Sequence, residues 1–222
     1  MRSVLRLGLL GMSLACAAPR TPPPINTVET AIVADAVADS LLTDVRRLDS
    51  TIVVELRYAT SNNFTGAPLP GYLGNRAVLR REAAASLALV EGDLRQQGLG
   101  LKIFDAYRPV RATLAMVDWT QRVHREDLLR DGYIASRSRH NLGLAVDLTL
   151  IDLATGSELE MGTPFDTFSA SAHTANATGV AAVNRQRLRS AMERRGFTNY
   201  DQEWWHFSYE VPNPLRFDRV IQ

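Results

Sequence analysis

At 222 residues the chain is long enough to bury one sizeable hydrophobic core, and 45% hydrophobic with 22% charged residues excludes disorder of the whole chain. Its 25 basic and 24 acidic residues nearly cancel, and no Lys/Arg stripe is clustered, so the electrostatic footprint of a nucleic-acid-binding protein is missing. A small neutral or zwitterionic ligand suits this balance better.

Residues 1–18 read as an export signal. Arg2 and Arg6 stand near the start, an apolar run through Leu14 is too short to span a bilayer, and small residues Ala15, Ala17 and Ala18 follow. Cys16 is the single cysteine and stands where a bacterial lipoprotein would be cleaved and acylated. Ser13, in the place where such signals usually carry leucine, leaves plain signal-peptidase cleavage as the alternative. The expected location is therefore outside the cytoplasm, periplasmic or anchored by lipid, with membrane contact only through Cys16. Pro19, Pro22, Pro23 and Pro24 then open a stiff spacer. The weak pattern from Val28 to Leu42 is read with it, giving a tether over 19–47 and a folded domain over 48–222.

In that domain Ile52, Val54, Leu56 and Tyr58 alternate with polar or exposed-type positions, a strand signal. The polar stretch 59–66 and the Pro and Gly residues after it read as a surface loop. Leu79, Ala83, Leu87, Val90 and Leu94 recur at helical spacing, and Gly98 ends the run. A buried strand from Leu101 to Ala106 delivers Tyr107-Arg108-Pro109, with Pro109 suited to the first turn of a further helix. On its own, Arg108 reads as a surface ion-pair residue, and His124, in a charged run, as solvated. Leu144, Val146, Leu148 and Leu150 alternate with Ala145, Asp147 and Thr149, so Asp147 points away from the leucine face of a strand. Asp166 closes a loop or hairpin return and by itself is a turn carboxylate. The arginines from Arg185 to Arg195 suggest a helix with a solvated basic face ending at Gly196, and Glu203 to Val211 reads as the last strand. No internal repeat is present. Helices and strands follow no regular βαβ order, which predicts an α+β fold: a small, mostly antiparallel sheet with helices packed on one side and the site at its open face.

Chemistry concentrates in Ser138-Arg139-His140 through Asp147 and in Glu203-Trp204-Trp205-His206. Two imidazoles and a carboxylate, His140, His206 and Asp147, are three N/O ligands for a tetrahedral zinc whose fourth position stays open, the pattern of a catalytic site. Glu203 is then left as a general base. The plain alternative is three ordinary polar side chains, because His-x6-Asp is not a short zinc signature. On a regular strand Glu203 and His206 would also face opposite sides, so the metal reading needs a bend, a bulge or a strand end between them. His173 has no local support as a ligand.

The string Ser138-x-His140-x-x-Gly143-x-Ala145-x-Asp147, followed by Glu203-x-Trp205-His206, resembles the zinc site of the D-Ala-D-Ala peptidase superfamily. Ser-Arg-His, Ala-Val-Asp-Leu-Thr-Leu, Met-Gly-Thr-Pro-Phe-Asp and Glu-Trp-Trp-His are similar to its VanX-type D-alanyl-D-alanine dipeptidases, and the likeness runs from about Tyr58 to Phe217. The resemblance implies one zinc per chain, held by His140, Asp147 and His206, with Glu203 as general base and acid. It implies that Arg108 reaches the scissile carbonyl oxygen, that Asp166, aided by Ser138, binds the substrate ammonium, and that the 58–66 loop lies beside the pocket. The implied reaction is hydrolysis of D-Ala-D-Ala to D-alanine in cell-wall peptide turnover, with the stereochemical preference resting wholly on the resemblance. An exported enzyme fits scavenging of wall dipeptides better than depletion of a cytoplasmic pool. The rivals are a peptidoglycan D,D- or L,D-carboxypeptidase of the same superfamily and a non-catalytic zinc or peptidoglycan-binding module. No protein partner is implied.

Overall fold

A computed structural model describes residues 31–222. The export signal, Cys16 and the proline-rich start of the tether lie outside the described residues. The described chain forms helices α1 (Asp35–Leu41), α2 (Arg81–Arg95), α3 (Val110–Arg122), α4 (Asp127–Arg130) and α5 (Gly179–Glu193). Its strands are β1 (Leu42–Asp44), β2 (Val53–Val54), β3 (Val78–Arg80), β4 (Leu99–Asp105), β5 (Ala145–Asp152), β6 (Phe197–Asn199) and β7 (His206–Tyr209).

The architecture is α+β. A five-stranded sheet runs in the order β2-β4-β5-β7-β6, antiparallel throughout except where β2 lies parallel to β4. Helix α2 buries Ala83, Leu87, Val90 and Leu94 of the expected run, whereas Leu79 falls in β3 ahead of it; Glu82 in the first turn and Arg95 in the last suit the helix dipole. It packs against β4 and α5, and α5 packs on β5 and β6. Pro109 caps α3 instead of opening it, one residue from the expected place.

Register decides what each face of the sheet carries. Residues directly opposite in an antiparallel pair share a face, so Leu101 with Leu150, Ile103 with Leu148 and Val146 with Phe207 line one apolar side. On the other side Asp147 stands opposite His206. The pairing of β4 with β5 slips by one residue between Ile103 and Asp105. An unbroken ladder would set Phe104 opposite Asp147, whereas the bulge sets Asp105 there. This polar face is roofed, not open to water: Asp147 is 3% exposed and Thr149 1%.

Other sequence expectations change as well. The tether does not extend to 47. Ile32 bridges Arg216, β1 pairs with β3, and Ala38 and Val45 are buried, so the folded body takes in 32–47. These short pieces each bury about one side chain, too little to leave a periodic signal. The first expected strand shrinks to Val53–Val54, although Ile52, Val54, Leu56 and Tyr58 are all buried. After it the Leu56 N–H turns to the Asn75 side chain, and the chain winds into a 3-10 turn at Arg57–Ala59. The basic face of α5 is not wholly solvated: Arg185 is 2% exposed and donates to the carbonyls of Met161, Ser171 and His173.

Candidate active site

The polar face gathers side chains from three central strands and the loops above them. His140 sits in a 3-10 turn, Arg139–Leu142, capped by Ser138, whose Oγ accepts from the His140 N–H at 3.2 Å. The turn ends at Gly143 with φ of 64°, which sends the chain into β5. His140 Nδ1 donates to the Ala106 carbonyl at 2.6 Å, which leaves Nε2 with its lone pair toward the cavity. Glu203 and His206 are brought together by a turn: the His206 N–H bonds the Glu203 carbonyl at 3.2 Å, and β7 starts only at His206. The expected last strand therefore begins three residues late, and this is what resolves the facing problem.

His206 Nδ1 lies 2.9 Å from Asp147 Oδ1 and 3.2 Å from His140 Nε2, and His140 Nε2 lies 3.4 Å from Asp147 Oδ1. A tetrahedral ion with bonds near 2.0–2.1 Å separates its ligand atoms by about 3.3 Å. The triangle is thus close to the required size, and its donors, two imidazole nitrogens and one carboxylate oxygen, fit a metal ion. Burial works against the charge on Asp147, but the flanking imidazoles of His140 and His206 outweigh it and hold its pKa below the usual carboxylate range. Burial lowers His206, which keeps the ring neutral and able to ligate.

Glu203 is 8% exposed, with Oε2 at 3.9 Å from His206 Nδ1. Burial, then the charges of Asp147 and Asp166, push its pKa well up against the opposing pull of Arg108. Arg108 enters from the end of β4. Its guanidinium binds Asp105 Oδ2 at 2.8 and 2.9 Å, stands 3.7 Å from Asp147 Oδ2, and stacks over the Tyr58 ring at 5.0 Å. Asp105 also accepts from Tyr72 at 2.5 Å and lies 3.4 Å from His140 Nδ1. Asp166 takes an unusual left-handed φ of 61°. Its Oδ1 accepts from Tyr58 at 2.9 Å, while its buried Oδ2 has no hydrogen-bond partner within the protein. Burial pushes its pKa up to about 8.

All of these groups except Asp105 and Tyr72 line one cavity of about 220 Å³. That is below the roughly 300–1,000 Å³ of sites for drug-sized ligands. A wider hollow of about 690 Å³ lies beyond the 158–166 loop and shares Asp166, but none of the three metal-donor residues.

Residues 39–216 match the family model for the D-ala-D-ala dipeptidases, peptidase family M15. The chain belongs to this family. A D-alanyl-D-alanine dipeptidase of Enterococcus faecium is 40% identical over 69% of this chain and 83% of its own length. One from Streptomyces coelicolor is 37% identical over 77% of this chain and 92% of its own. Among solved structures, that of the LD-carboxypeptidase LdcB aligns at 20% identity over 60% of this chain and 59% of that one, with a TM-score of 0.43, too distant to carry an argument.

Every residue singled out in this family member's sequence, namely Ser138, His140, Asp147, Asp166, Glu203, His206 and Arg108, faces the same cavity. His124 is exposed, as expected, and His173 is no part of the donor trio. Sequence reasoning missed Asp105 and Tyr72, which fix Arg108 from beneath, and the partnership of Tyr58 with Asp166. Asp105 had a signal, since a carboxylate three residues before Arg108 at a strand end is within ion-pair reach. The pairing of Tyr58 with Asp166, 108 positions apart, had none.

Proposed function

We propose that the chain hydrolyses D-Ala-D-Ala to two molecules of D-alanine, with one zinc ion held by His140, Asp147 and His206. The observation that carries this is the convergence of three metal-donor atoms, a buried carboxylate and a fixed guanidinium on one small cavity, in a chain of the dipeptidase family. Zinc suits two nitrogens and one oxygen with a position left open, and when bound supplies a Lewis acid that acidifies water and polarises a carbonyl.

The chain's own groups do the rest. Glu203, made basic by burial and by neighbouring carboxylates, takes the proton of the attacking water and returns it to the leaving amine. Arg108, held still by Asp105, stabilises the negative charge that develops on the scissile carbonyl oxygen. Asp166, steadied by Tyr58 and carrying an unpartnered Oδ2, receives the substrate ammonium, with Ser138 on the same wall. A free amine at this point excludes internal bonds of a polymer. Export through residues 1–18, to the periplasm or a lipid anchor at Cys16, and scavenging of wall dipeptides complete the proposal.

The test is D-alanine release by the zinc-loaded protein from D-Ala-D-Ala, L-Ala-L-Ala and a pentapeptide ending in D-Ala-D-Ala. Release from the D,D-dipeptide alone supports the reading. Cleavage of the pentapeptide moves the chain to the wall carboxypeptidases, and metal binding without hydrolysis of any of the three makes it a binding module.

A further inference from the structure

A buried cation costs free energy unless it is paired or fully hydrogen-bonded. Arg185, on α5, is 2% exposed, and burial lowers its pKa with no acidic side chain among the described residues acting on it. Its guanidinium turns instead to backbone carbonyls of two separate loops. Nε donates to Met161 at 2.7 Å, in the 158–166 loop, while Nη1 donates to His173 at 2.7 Å and Nη2 to Ser171 at 3.1 Å, in the 169–176 loop. A guanidinium can hold both at once because its donors lie in a fixed planar fork, whereas an ammonium is a single point.

Both loops adjoin the catalytic cavity. The first ends in Asp166 and the second follows Phe168, and these two residues line the cavity, whereas Arg185 lines neither it nor the wider hollow. The loop carrying Asp166 is fixed at successive points. The Asn184 side chain donates to the Glu160 carbonyl at 2.8 Å, the Glu160 carboxylate accepts from the Gly162 N–H at 2.6 Å, and Trp204 Nε1 donates to Thr163 Oγ1 at 2.9 Å. The Trp204 ring lies 5.9 Å from the Arg185 guanidinium, and its backbone N–H bonds the Ala172 carbonyl at 3.1 Å. Gly162 brings the loop backbone close against α5. Its φ is 83°, and a Cβ there would stand 3.1 Å from Ala181 Cβ and 3.3 Å from Arg185 Nη2. At the end of this frame Asp166 holds its left-handed φ of 61° and an unpartnered Oδ2, a conformation that persists only where the surroundings impose it.

We propose that Arg185 is a positioning residue for recognition of the substrate's amino end. By tying the Met161 carbonyl to α5 it sets where Asp166 stands over the cavity, and by holding Ser171 and His173 with the same fork it fixes that loop against its neighbour. Asp166 touches the ammonium, and Arg185 acts through it from outside the cavity. The proposal rests on the dipeptidase reading, in which Asp166 receives the substrate ammonium, and adds the residue that aims it.

The experiment measures, on the zinc-loaded full chain, KM for D-Ala-D-Ala and the inhibition constant of N-propionyl-D-alanine, the same molecule without its ammonium. Arg185→Gln is expected to raise KM for the dipeptide about tenfold, with kcat changed less than about threefold and the inhibition constant unmoved. Gly162→Ala, which pushes the loop off the guanidinium and leaves α5 unaltered, gives the same selective pattern and carries the test if Arg185→Gln fails to fold. The double variant Arg185→Gln/Asp166→Asn is no worse than Asp166→Asn alone, since both act on one contact. An equal loss on the two compounds, additive losses in the double variant, or an unchanged KM overturns the proposal. Asp166→Asn separates it from the reading beneath. An equal loss on both compounds in that variant removes the ammonium site, whereas a selective loss there beside an equal loss in Arg185→Gln removes only the role of Arg185. If the wild-type protein does not hydrolyse D-Ala-D-Ala, the dipeptidase reading fails. Calorimetric Kd values for the two compounds then decide the role of Arg185 by the same pattern, and binding of neither overturns it.

Discussion

Asp166 shows how burial changes the chemistry of an ordinary side chain. Its carboxyl is driven up to about 8 by desolvation, against about 3.9 in an unfolded chain. A raised folded pKa contributes stability that is complete below about pH 4 and is lost as pH climbs through about 8. Thermal midpoints measured across that window should therefore fall toward alkaline pH in the wild type, and fall less in Asp166→Asn. Glu203 makes a different prediction. Glu203→Gln keeps the shape but cannot accept a proton, so kcat should drop at least about a hundredfold while metal content stays the same. A parallel loss of metal would instead make Glu203 a ligand. The donor trio was legible in the sequence because the chain has only four histidines and the three donors fall in two short strings that resemble a known zinc site. The bonds of Tyr58 to Asp166 and of Tyr72 to Asp105 were not, because a buried hydrogen bond between positions far apart in the chain leaves no local pattern.

At the level of elements, the site depends on departures from regular structure. The bulge in β4 moves Asp105 into the place of Phe104, and the turn before β7 folds Glu203 back beside His206. Period-2 alternation identified the strands but could not locate a one-residue slip, since a bulge changes pairing and not composition. The helical repeat was read more closely, because α2 buries four of the five residues its spacing selects, all but Leu79 in β3. Gly143 is a third departure. A Cβ there would stand 2.6 Å from Leu42 Cδ2 and 3.1 Å from the Arg80 nitrogen, on a backbone already at φ of 64°. Gly143→Ala should cost about 1–3 kcal/mol, read as a lower urea midpoint with unchanged slope. Arg185 was mistaken for part of a solvated face because periodicity records where charge lies, not which loop carbonyls come to meet it.

For the whole molecule, the folded body begins earlier than composition suggests. A chain starting at Leu48 would lose β1, the partner of β3, and the buried side chains of Ala38 and Val45. It should melt well below a chain starting at residue 31, and equal melting temperatures would restore the longer tether. The α+β layout follows from the irregular order of elements, whereas the roof over the polar face came from loops whose sequences read as surface. The central claim is that one metal, three donors and Glu203 act as a unit on a D,D-dipeptide. It is tested most directly by stripping the protein of metal and titrating zinc back while following D-alanine release from D-Ala-D-Ala. Activity should rise in step with bound zinc and level off at one equivalent, and His206→Ala should bind zinc poorly and stay inactive. Full activity in the stripped protein, or one equivalent of zinc bound tightly by His206→Ala, would contradict the account.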